Sequence, residues 1–129
     1  MGAWGIGNFE NDDGLDLLYE AENGADRAVL EALNRVTSGD GDVIEAPDAG
    51  MALAAAELVA AKLGRPAAEL PDETTAILVQ LSVTSEIQAL ALRAVDRITQ
   101  KSELKELWEE TGDFETWLAT QSDLKKRLS

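Results

Sequence analysis

Asp12, Asp13, Asp16 and Glu20 crowd four carboxylates into residues 12–20. On an α-helix, at about 100° per residue, they share one ~100° arc, with Leu15, Leu18 and Tyr19 predicted on the other side. Oxygen ligands grouped in this way have two chemistries open to them. One is docking of a basic partner by charge complementarity; the other is binding of a hard cation such as Ca²⁺ or Mg²⁺. The plainer account is a solvated helix face with Asp12 and Asp13 on the positive end of the helix dipole. Spacing excludes an EF-hand, because a loop starting at Asn8 puts Asp13 where glycine is needed and Tyr19 where glutamate is needed. Asp40 and Asp42 are further carboxylates for a cation-binding protein or a small carboxylate-dependent enzyme.

Other constellations are weaker. Gly2, Gly5 and Gly7 ahead of a helix invite a phosphate-loop reading. No lysine follows them, however, the third glycine of a dinucleotide fingerprint is missing, and Asp12 and Asp13 already stand at the helix start. The glycines are better read as letting the backbone turn closely around Trp4 and Phe9. Ser102 and Lys105 match a Ser-x-x-Lys pattern, but no Lys-Thr-Gly accompanies it, so Ser102 is read as a helix cap. Glu57 lies amid Leu53, Ala54, Leu58, Ala60 and Ala61, and is expected at an edge or paired with Arg93 or Arg97. Arg93, Arg97 and Lys101 step by four into a basic stripe, which is either solvated or meets acids of this chain or of a second copy. Trp108 and Trp117, on either side of Gly112, are expected as core anchors.

Composition narrows the chemistry further. The 129 residues contain neither histidine nor cysteine. That removes the Ser-His-Asp, Cys-His and His-metal mechanisms, along with thiolate metal sites and disulfides. No metal site, cofactor or catalytic residue is assigned. The net charge is −14, and residues 1–50 carry twelve Asp/Glu against two Arg, while residues 51–129 carry thirteen against nine Lys/Arg. A field of that sign repels nucleic acid and anionic membrane surfaces, and speeds encounter with a basic partner. The opening Met-Gly-Ala-Trp has no basic and apolar leader pattern, so the expected location is cytoplasmic.

The elements that must position these residues read as helices. Asn11 caps a helix from Asp12 to about Ala21, and Ala25 to about Val36 follows as the second arm of a hairpin. Thr37 to Ala46 is rich in turn formers and reads as a mobile connection. Pro47 opens an alanine-rich helix over Asp48 to Leu63, ended by Gly64-Arg65-Pro66, close-packed and too short for a membrane span. Thr74 to Leu81 is a helix, or a strand over Ala76 to Val83; Ser85 with Gln88 resembles a capping box for the next helix. Ser102 caps Glu103 to Thr111, and Asp113 caps a last helix to about Leu128, whose Lys125, Lys126 and Arg127 lie on its negative end.

Met1, Gly2, Trp4, Gly5, Gly7, Phe9, Asn11 and Asp12 fit a Met-Gly-x-Trp-Gly-x-Gly-x-Phe-x-Asn-Asp signature. The chain thereby resembles the family known as domain of unknown function 4259, with a looser likeness over Ser102 to Trp108; Gly14 stands where that family leads one to expect an alanine-like residue. The resemblance implies a small, mainly helical bacterial protein and brings no activity with it. The expectation is one all-α domain over residues 1–129, a compact bundle of about six to seven helices with an ordered Gly/Trp-rich N-terminal loop. It would work by binding a basic protein through Trp4, Asn11, Asp12, Asp13, Asp16 and Glu20, an immunity-type inhibitor of a basic toxin being one form. A homo-oligomer joining acidic and basic surfaces is a further form, and a carboxylate-dependent cation-binding protein or enzyme is the alternative.

Overall fold

The structure is a computed structural model and describes residues 3, 5–39 and 43–129. Among them are seven helices and no strand: α1 (Asp12–Glu22), α2 (Ala25–Thr37), α3 (Ala46–Lys62), α4 (Thr74–Gln80), α5 (Ser85–Gln100), α6 (Glu103–Glu109) and α7 (Phe114–Leu128). Trp4, Asp40 and Asp42 lie outside the described residues, as do the Gly2 end of the N-terminal loop and the middle of the expected mobile connection.

Helix boundaries follow local chemistry. Extended Asn11 accepts the Gly14 N–H at 2.7 Å and so starts α1. The Ser102 hydroxyl does two jobs: it donates to the Ile98 carbonyl at 2.8 Å and accepts the Lys105 N–H at 3.0 Å, joining the end of α5 to the start of α6. Past α3, Gly64 takes a φ of +87°, which a glycine adopts without strain. The Arg65 N–H then reaches the Ala60 carbonyl at 2.9 Å and the Gly64 N–H reaches that of Ala61 at 3.0 Å, a Schellman closure.

Some expectations change. The cap of α5 is Thr84, whose hydroxyl accepts the Ile87 N–H at 3.2 Å, so Ser85 is already helical and no Ser85–Gln88 capping box forms. Asp113 precedes α7 without a side-chain capping bond. The β-branched run from Ala76 is helical to Gln80 and extended after it, because Ile77 is drawn into the core and α4 is anchored by Thr74, itself buried.

At the centre is α3, which touches each of the other six helices. Its residues 49–60 are buried apart from half-buried Met51. Alanine at 49, 52, 54, 55, 56 and 60 lets neighbouring backbones approach from several directions at once. Among the described residues no helix is long and apolar enough to cross a membrane. Trp108 and Trp117 are in the core, as their flanking of Gly112 suggested, and Phe9 joins them. Short-range order is supplemented by cross-links: the Asp26 carboxylate accepts the Ser82 N–H at 2.7 Å, and Glu103 accepts the Ala46 N–H at 2.9 Å, satisfying an otherwise orphan donor at the start of α3.

Candidate functional site

The face that α1 presents to solvent is wider than its acids. Asp12, Asp16 and Glu20 are exposed, and so are Leu15 and Tyr19, the latter 75% exposed. The expectation that Leu15 and Tyr19 would lie opposite the acids is therefore corrected. The buried stripe runs through Gly14, Leu17, Leu18 and Ala21, which leaves both side chains on the flank next to the carboxylates. Of the site residues expected from sequence, Asp12, Asp13, Asp16 and Glu20 are brought together on α1. Asn11 is spent on structure, accepting from Gly14 and donating to the Asn8 carbonyl at 3.4 Å. Among the described residues, no ion pair forms between a cation and Asp12, Asp13, Asp16 or Glu20; the four pairs present lie elsewhere. The basic stripe of Arg93, Arg97 and Lys101 does not reach these acids.

Asp13 differs from its neighbours in being half-buried. Burial raises its carboxyl above the ordinary value of 3.8, and the nearby charges of Asp16, Asp12 and Asp48 push the same way. It leans on α3 at Gly50, where a Cβ would come within 2.9 Å of the Asp13 Cβ. It also lines a cavity of about 220 Å³ between the N-terminal loop, α1, α3, α6 and α7. Asn8, Asn11, Leu53, Trp108 and Trp117 are among the other walls. Three or more acids grouped to hold a metal ion are not found among the described residues.

Behind that cavity runs a buried polar chain. Asn8 and Gln121 exchange reciprocal amide hydrogen bonds at 3.0 and 2.9 Å, and Asn8 also donates to Glu57 at 2.9 Å. Glu57 then receives two bonds from the Arg127 guanidinium, at 2.8 and 3.2 Å. The Glu57 side chain is 3% exposed, so the edge position and the Arg93 or Arg97 pairing are both corrected to a buried bidentate pair with Arg127. Burial alone would lower the Arg127 pKa; the carboxylates of Glu57 and Asp123 outweigh it and hold the guanidinium above its ordinary value. Both Glu57 oxygens are engaged, which suits a structural clamp and not a general acid or base. On its outer side the chain borders a cleft of about 830 Å³. Asn8, Gln121 and Arg127 were not foreseen as a unit, since only folding brings residues 113 positions apart together.

The remaining motifs are structural. Gly5 and Gly7 wrap the Glu10 carboxylate so closely that a Cβ at either would run into it, and the Gly7 N–H donates to Glu10 at 3.2 Å. The glycine loop thus takes an anion from its own chain. A Cβ at Gly14 would meet the Asn8 carbonyl at 2.7 Å, which accounts for glycine where an alanine-like residue was expected. Lys105 pairs with Glu109 at 3.3 Å and lies over the Phe114 ring, turned away from any role with Ser102.

A family model described as "Domain of unknown function (DUF4259)" matches residues 2–120. No curated protein and no solved structure matches the chain.

Proposed function

We propose that this chain, which belongs to the family described as domain of unknown function (DUF4259), is a non-catalytic binding protein whose α1 face receives a basic protein partner. The observation that carries this reading is the exposed cluster of Asp12, Asp16 and Glu20 beside Tyr19, with no cation of the described chain set against it. Unneutralised charge of one sign steers a partner of the other, and an exposed tyrosine supplies the apolar contact that long-range attraction alone lacks. Asp13 adds to the same reading: burial and the charges of Asp16, Asp12 and Asp48 raise its pKa, and a basic group set against it would offset that cost. An immunity-type inhibitor of a basic toxin is one form such a protein takes, since these pairs depend on fast, charge-driven encounter. The lack of cysteine accords with action in a reducing cytoplasm, and one domain over the whole chain is the organisation we favour.

The test compares capture from a lysate of the source organism by the native chain and by an Asp12→Asn, Asp16→Asn, Glu20→Gln variant, at low and at moderate salt. A basic protein held by the native chain at low salt, and lost both by the variant and at moderate salt, is the expected outcome. Equal capture by the variant with the same salt dependence sinks the acidic-face reading.

A further inference from the structure

We infer that the cavity of about 220 Å³ beside Asp13 is an anchor pocket for one arginine side chain of the basic partner. The biological source of that arginine rests on the docking reading above; the chemistry of the pocket does not. At about 30 Å³ for each water the cavity has room for several water-sized groups, enough to admit the end of a long side chain. Its walls suit the two ends of that side chain differently. Leu53, Leu104 and Leu107 offer an apolar lining for the methylene stem, and Trp108 and Trp117 offer aromatic surface to a planar cation.

Asp13 supplies the opposite charge. Among the described residues it accepts no hydrogen bond and has no ion-pair partner, although it is half-buried and lines the cavity. Two of the other polar side chains at the wall are already committed: the Asn8 amide to Gln121 and Glu57, and Asn11 to the α1 cap. Among the described residues Asp13 is the one acid lining the cavity, and having no partner among them it favours a cationic group there. Guanidinium is the better occupant than ammonium, because it is less strongly hydrated, stacks on aromatic faces and meets a carboxylate through a planar fork. The pocket adjoins the exposed acids through Asp13 itself, which follows Asp12 in α1. Gly50 keeps this geometry, since a side chain there would push Asp13 away from α3.

The experiment titrates the full chain with n-butylguanidinium, with n-butylurea as its neutral counterpart, following the indole N–H signals of Trp108 and Trp117 by NMR. Saturable shifts with the cation, and binding of the urea weaker by about tenfold or more, are expected. Asp13→Asn should weaken the cation by a similar factor, and Leu107→Phe, which narrows the cavity and keeps the carboxylate, should abolish its shifts. Equal binding of the cation and the urea, full affinity in Asp13→Asn, or no saturable shift in the native chain would each overturn the pocket. None of those results touches the Asp12, Asp16, Glu20 variant. Conversely, undiminished capture by that variant together with a clean guanidinium response would remove the face and leave the pocket.

Discussion

Arg127 donates to Glu57 on one side and to Asp123 on the other, and the two pairs sit in different media. The Glu57 side chain is 3% exposed, whereas that of Asp123 is 65% exposed. Truncating Arg127 strands a buried carboxylate, so Arg127→Ala is expected to cost roughly 3–5 kcal/mol; Asp123→Ala should cost about 0–1 kcal/mol, because water screens that pair. Urea unfolding of the two variants checks the contrast, and equal losses would contradict the clamp. Asp13 has the opposite energetic sign. Its folded pKa lies above the ordinary 3.8, so between those two values the native state holds the proton that the unfolded chain has released. Its contribution is therefore lost as pH rises through that window. Asp13→Asn should be more stable than the native chain at neutral pH, with the difference vanishing below the unfolded value. Thermal melts of both proteins across the acid range measure this, and a native chain more stable than the variant at neutral pH would contradict it.

Among the elements, α3 decides the arrangement of the rest. Because it touches all six other helices and residues 49–60 are buried apart from half-buried Met51, its middle leaves little room for a larger residue. Ala55→Leu adds methylenes to a position with no exposed surface and is expected to destabilise the fold by about 1–3 kcal/mol, measured by chemical denaturation. A neutral result would mean that the packing around α3 is looser than its burial implies. Most element ends were legible beforehand, because a cap is a contact over three residues: Asn11 to Gly14 and Ser102 to Lys105 are both read directly from residue type and spacing. The cap of α5 was misplaced by one residue, since Thr84 and Ser85 offer equivalent hydroxyls and only the path from α4 chooses between them. Leu15 and Tyr19 belong beside the acids by helical spacing itself, about 60° and 20° from Asp12; their apolar character, not their position, suggested the core side that Leu17 and Leu18 take.

For the whole molecule, the −14 charge and its concentration in residues 1–50 govern encounter more than they govern the fold. The Asp12, Asp16, Glu20 variant should accordingly lose association rate and salt dependence before it loses stability, a split that stopped-flow association at several ionic strengths resolves. An all-helical chain, its excluded histidine and cysteine chemistries, the central alanine helix and the grouping of four acids on α1 were all contained in the sequence. Each depends on composition or on neighbours within a turn or two. The Glu57–Arg127 pair spans 70 residues, and the Asn8–Gln121 pair spans 113. These, and the cavity that sets Asp13 apart from Asp12 and Asp16, were decided only by tertiary structure, because burial and a partner's position come from packing between helices that no local spacing encodes.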